Sequence, residues 1–230
     1  MKQHTSSIVR SVRSHYIIIL KKNFYCALNV NIVKQKLERG VKLAELAPIL
    51  KGKERPYIGA HRGASAYRPE NTLASFKKAY ELQADFIELD VQLTKDKEVV
   101  VFHDFLLDNK TDGNGFLRDH TLAELKKLDA GVWYSEAFAG EHIPTLEEVL
   151  DWAKDKIWLS IELKQIEHFH EPLAQKVVQL IEHYKMEDQV QIMSFNHRAL
   201  SEVREVNKNI ITNVISGCQI ADPVSYLNNL

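Results

Sequence analysis

The chain has 230 residues, 45% of them apolar and 27% charged, with a formal net charge of −1, which is an ordinary globular composition with length enough for one substantial core. That balance carries no electrostatic footprint of a nucleic-acid binder, and the two cysteines, Cys26 and Cys218, are too few and too far apart for a disulfide framework or a zinc site. No run reaches the roughly 20 apolar residues of a membrane span, and the apolar stretch at 16–20 stops at Lys21 and Lys22 without the features of a secretory signal, so a cytoplasmic location is expected.

Residues 1–55 read as a basic N-terminal extension. Its first forty residues hold eight Lys or Arg against one acid, Glu38. Interleaved with Ile, Leu, Phe and Tyr, such a segment is suited to peripheral contact with an anionic membrane surface. The commoner outcome, extra helices or a poorly ordered leader, is the leading expectation. A short helical pattern at Leu43, Leu46, Ala47 and Leu50 closes the extension, and a second unit over 56–230 follows it.

In that unit strands and helices alternate. A strand over 57–60 leads to a helix over 72–83, with Leu73, Phe76, Ala79, Tyr80 and Leu82 near helical spacing and Asn71 or Thr72 as its cap. A strand over 86–94 follows, then another over 99–102 after a connection short enough for the two either to lie antiparallel or to diverge at the barrel rim. Residues 104–141 hold no core strand and are expected to cover a site; within them Thr121 and Glu124 form a capping box opening a helix over 122–128. Thr145 and Glu148 open a helix to about 154. Strands over 157–163, 190–194 and 210–215 then alternate with helices over 171–184 and 198–206. The alternation predicts an α/β fold with parallel strands, and the absence of a G-x-G-x-x-G turn disfavours a dinucleotide-binding sheet.

Four clusters end these strands: His61-Arg62-Gly63, Glu88-Leu89-Asp90, His103-Asp104 and Glu162-Leu163-Lys164. Parallel barrels concentrate their chemistry at the carboxyl ends of strands, so residues a hundred positions apart can converge there. A closed barrel needs eight strands, and six are counted, so the fold expected is a TIM-type (β/α)8 barrel truncated after about six. Its seam would lie between the strands at 210–215 and 57–60, covered either by association or by the leader at 16–33.

Glu88 and Asp90, two apart on a strand, share one face. Held that close, two carboxylates repel and raise each other's pKa unless a cation lies between them, which points to one divalent cation, Ca²⁺ or Mg²⁺. Glu162 offers a third oxygen ligand. His61 and His103 are titratable near neutral pH and offer a general acid and a general base, with Asp104 placed to orient a ring nitrogen of His103. Arg62 and Lys164 add fixed positive charge suited to a phosphate oxyanion. Gly63 permits a sharp turn, and Glu70 reads as structural support at a helix start.

The blocks HRGASAYRPENT (61–72), ELD (88–90), HD (103–104), IPTLEEVL (143–150) and IELK (161–164), with SFN (194–196) as a weaker match, together resemble the glycerophosphodiester phosphodiesterase family. The resemblance covers about residues 57–216. It implies metal-dependent hydrolysis of glycerophosphodiesters to sn-glycerol 3-phosphate and an alcohol. It further implies His61 and His103 as the acid/base pair, Glu88, Asp90 and Glu162 as metal ligands, and Arg62 and Lys164 on the phosphate. The family's last strands, one commonly carrying a Trp-Thr-Val-Asn type run, have no counterpart, and the extension is additional. Two other readings therefore stand: a catalytically weak or inactive barrel that acts through binding, and a phospholipase D-type enzyme acting on sphingolipid or lysolipid.

Overall fold

The computed structural model describes residues 57–165, 172–218, 220–222 and 225–226, together with two strands of the extension, 17–21 and 24–27. The helical pattern at 43–50 lies outside the described residues. The extension's strands are β1 (Ile17–Lys21) and β2 (Phe24–Ala27), which corrects the expectation of helices or a poorly ordered leader there. The backbone of β1 finds hydrogen-bonding partners along the edge of β3 (Tyr57–His61), running parallel to it, and β2 folds back antiparallel on β1.

After β3 come α1 (Leu73–Glu81), β4 (Phe86–Leu93), β5 (Val99–Val101), α2 (Leu122–Leu125), α3 (Leu146–Ala153), β6 (Trp158–Leu163), α4 (Leu173–Tyr184), β7 (Val190–Ser194), α5 (His197–Val206) and β8 (Ile211–Val214). The sheet order is β2-β1-β3-β4-β6-β7-β8. From β1 onward along that path every pairing is parallel. The strand at 99–102 is the exception among the six expected, because β5 returns antiparallel on β4 and lies off the path. Five of the six therefore form the parallel sheet, with β1 beside β3 on the side where the seam was expected. Among the described residues no ladder joins β2 to β8, so the sheet is a curled part of a (β/α)8 barrel.

Parallel strands covered on both faces must be apolar nearly throughout. Accordingly β4 and β7 are buried along their whole length, whereas all four residues of the edge strand β8 are half-exposed. The helices pack apolar stripes against the sheet: Phe76 and Ala79 of α1, Leu146, Val149 and Leu150 of α3, Val177, Val178 and Ile181 of α4, Leu200 and Val203 of α5. Thr72 and Thr145 cap α1 and α3, each accepting a hydrogen bond from the backbone N–H three residues on, and Glu148 completes a capping box at Thr145.

Residues 104–143 build a smaller core of their own, in which Leu107, Leu117, Leu125, Ala130 and Ile143 close on Val100 and Phe102. The helix expected over 122–128 is a single turn, α2. The chain bends away at Asp129, whose carboxylate accepts hydrogen bonds from the N–H groups of Gly131, Val132 and Gly140. Among the described residues no helix is long and apolar enough to cross a membrane.

Candidate active site

Strand register assembles the site. In the parallel ladders His61 lies opposite Glu88, and Asp90 lies opposite Glu162, so neighbouring strands set imidazole and carboxylates side by side on one face. The carboxylates of Glu88, Asp90 and Glu162 are all buried and bring oxygens within 4.8 Å of one another. Burial, then repulsion from Asp90 and Glu162, pushes the Glu88 carboxyl well above the usual carboxylate range. Glu162 is pushed up for the same two reasons, burial first and Asp90 next, although Lys164 works against it.

Asp90 shows which oxygen remains for a ligand. Its Oδ2 accepts a hydrogen bond from Asn71 Nδ2 at 2.9 Å and lies 3.4 Å from Arg62 Nε. Its Oδ1 is buried with no hydrogen-bond partner and has Lys164 Nζ at 3.8 Å. A buried carboxylate oxygen left this way is costly unless a cation meets it. Three acidic oxygens on a rigid sheet, one of them unsatisfied, fit a hard divalent cation.

His103 arrives by a route that the strand-end rule did not anticipate. Asp90 sits three residues before the end of β4, and the antiparallel return of β5 carries the chain back to it, Phe102 N–H donating to the Asp90 carbonyl at 2.9 Å. His103 Nδ1 then pairs with Asp104 Oδ1 at 2.6 Å, and that bond chiefly holds the Asp104 carboxyl below its usual range. His61 Nε2 lies 3.7 Å from Glu88 Oε2. All seven predicted site residues, His61, Arg62, Glu88, Asp90, His103, Glu162 and Lys164, thus fall within one neighbourhood.

The turn after His61 is tightly specified. Arg62 and Gly63 both have positive φ, +57° and +80°, and a Cβ on Gly63 would meet Ser75 Oγ at 2.3 Å, so only glycine fits. The backbone N–H of Arg62 donates to Glu88 Oε2 at 3.0 Å. The Arg62 guanidinium donates to Glu70 at 2.7 Å; burial works to lower its pKa, but Asp90 and Glu70 outweigh that and raise it. Lys164 Nζ donates to Glu162 at 3.0 Å.

Sequence reasoning missed two supporting side chains. Gln92, on the same face of β4 as Glu88 and Asp90, donates from Nε2 to the carbonyls of Phe102 and Asp104, both at 2.9 Å, and so clamps the residues on either side of His103. Its spacing of two from Asp90 was the available signal. Asn71, read as an alternative helix cap, leaves that position to Thr72 and turns onto Asp90. The 104–143 insertion reaches the same region: Lys110 Nζ lies 3.6 Å from Glu70 and 3.7 Å over the Trp133 ring, walling a hollow beside His103.

The chain is similar to known proteins in sequence and in fold. A sequence profile of the glycerophosphoryl diester phosphodiesterase family matches residues 61–222. A glycerophosphodiester phosphodiesterase of Caldanaerobacter subterraneus is 47% identical over 165 residues, covering 71% of this chain and 68% of that protein. An Oleispira antarctica phosphodiesterase, solved in complex with the product sn-glycerol-3-phosphate, is 34% identical with a TM-score of 0.72, covering 76% of this chain and 71% of that one. A glycerophosphodiester phosphodiesterase of Agrobacterium tumefaciens, at 31% identity and a TM-score of 0.63, covers 68% of this chain and 65% of its own. The chain thus spans about two thirds of the length of such relatives.

Proposed function

The chain belongs to the glycerophosphoryl diester phosphodiesterase family, and from that premise we propose that it hydrolyses glycerophosphodiesters to sn-glycerol 3-phosphate and an alcohol. The observation that carries the proposal is the convergence of three buried carboxylates with two histidines, an arginine and a lysine at one end of the sheet. Glu88, Asp90 and Glu162 would hold one divalent cation, Ca²⁺ or Mg²⁺, which supplies Lewis-acid stabilisation of charge on the phosphoryl oxygens.

The charge balance is consistent with that role. With all three carboxylates ionised, they, Arg62 and Lys164 together carry one negative charge, Glu70 beside Arg62 being matched by Lys110; a divalent cation would turn that to one positive charge, the complement of a singly charged phosphodiester. Arg62 and Lys164 keep that positive field at the phosphate, each anchored on an acid of the triad or its neighbours. With Nδ1 of His103 engaged by Asp104, the ring presents Nε2 for proton exchange. His61 and His103 divide the proton transfers, one taking the proton of the nucleophile as it bonds to phosphorus and the other protonating the departing alcohol as its P–O bond breaks, with water supplying in the net reaction the oxygen that ends on the phosphate.

The test is glycerol 3-phosphate release from glycerophosphocholine by the purified chain, in chelator and with added Ca²⁺ or Mg²⁺, with a lysophospholipid as the competing substrate. Cation-dependent release from the glycerophosphodiester is expected. Turnover of the lysophospholipid alone would assign the site to the phospholipase D-type reading. Among the described residues β8 has no further strand beside it, which favours a second reading, in which cation binding is retained while turnover is weak; binding without release in the same assay identifies it.

A further inference from the structure

We propose that Asn71 is a positioning residue that aims Asp90 Oδ1 at the cation, an inference that rests on the cation site proposed above. Asn71 is 2% exposed and has a φ of +56°, in the left-handed region. Glycine and asparagine are the residues that adopt that conformation most readily, so the backbone narrows the choice and the amide's contacts decide between them. Asn71 Nδ2 donates to Asp90 Oδ2 at 2.9 Å, and Oδ1 accepts the Asp90 backbone N–H at 3.4 Å. Only one orientation of the amide serves both partners, since the carboxylate accepts and the backbone N–H donates.

The two contacts act on the side chain and the backbone of the same residue. They fix the carboxylate's rotation with Oδ2 turned to Asn71 and Arg62, leaving Oδ1, which accepts no hydrogen bond and has Lys164 Nζ at 3.8 Å, as the oxygen available to a ligand. Asn71 is itself locked in place, because its own N–H donates to the Arg62 carbonyl at 3.0 Å, closing the loop that begins at His61. Side chains that orient a metal ligand in this way typically govern affinity by about 10–100-fold.

The experiment is calorimetric titration of Ca²⁺, and separately Mg²⁺, into the chelator-stripped full chain, alongside thermal melts without metal. Asn71→Gly keeps the left-handed backbone and removes the amide; its cation affinity is expected to fall about 10–100-fold. Thr72→Ala, which removes the cap of α1 one residue on, is expected to lower the melting temperature while leaving cation affinity within about twofold of wild type, the pattern of a merely structural residue. Asn71→Asp, close in size and tolerant of the same φ, replaces the donor by an acceptor and is expected to weaken binding too, which keeps the test decisive should Asn71→Gly fail to fold. Wild-type affinity in Asn71→Gly, or affinity unchanged or raised in Asn71→Asp, overturns the proposal. Failure of the wild-type chain to bind either cation would instead overturn the cation site itself, and this inference with it.

Discussion

Glu88 is buried and flanked by two further carboxylates, and burial and then their repulsion push its carboxyl well above the usual range. Its raised folded-state pKa means that the fold favours the protonated form, so the metal-free chain should lose stability as pH rises from the ordinary carboxylate range through the raised value. In chelator, Glu88→Gln is therefore expected to melt at a higher temperature than wild type at neutral pH, with the gap closing as pH falls toward about 4.5. Added Ca²⁺ should reverse the order. Melting curves across pH, with and without cation, check both signs; a gap that does not change with pH would mean that Glu88 is not the source of the instability. The histidines give a kinetic counterpart. His61→Ala and His103→Ala should each lower turnover by at least roughly 10²-fold while leaving cation affinity largely intact, and either variant retaining most of the activity would make that histidine structural. Gly63→Ala should cost more than about 1 kcal/mol in chemical denaturation, because both the positive φ and the approach to Ser75 oppose a Cβ.

β4 is the element on which the site depends, and it shows why some features are legible in sequence and others are not. The period of two that puts Glu88 and Asp90 on one face is local geometry, and the strand forms as its apolar residues require. The helix caps at Thr72 and Thr145 are likewise short-range hydrogen bonds readable from spacing. What Asn71 and Gln92 do was not legible, because their partners are 19 and 10–12 residues away and depend on how strands and turns meet. The direction of β5 was left open by its short connection, and its antiparallel return decides where His103 lands. The leader at 16–33 was one of two candidates for the seam, but its strands could not be assigned from sequence, because a basic, mixed segment carries no strong period of its own and its pairings form between β1 and β2 and along the edge of β3. Gln92→Ala tests the element directly. With the carbonyls of Phe102 and Asp104 stripped of their shared donor, stability should fall by about 1–3 kcal/mol, and turnover should fall more than cation affinity. Equal losses in both would mean that Gln92 supports the whole of β4 rather than the His103 segment.

At the scale of the molecule, the described strands form an open arc whose β3 edge is paired by β1, with β8 at its far end half-exposed. Unpaired parallel edges invite association, so deleting residues 1–50, which removes β1 and β2, should lower the melting temperature and promote self-association in sedimentation. A shortened chain that stays monomeric with unchanged stability and activity would show that the extension does not support the barrel. The arc matters to function because the carboxylates, the histidines and their supports all lie on β3 to β6 and the loops between them, away from the β8 edge. The measurement that tests the central claim most directly follows cation binding and glycerol 3-phosphate release together, as Ca²⁺ or Mg²⁺ is titrated into wild type and an Asp90→Asn variant. Release that rises in step with occupancy of one site in wild type, with both lost or strongly weakened in the variant, is the predicted result. Release undiminished in chelator, or cation affinity unchanged by the substitution, would contradict it.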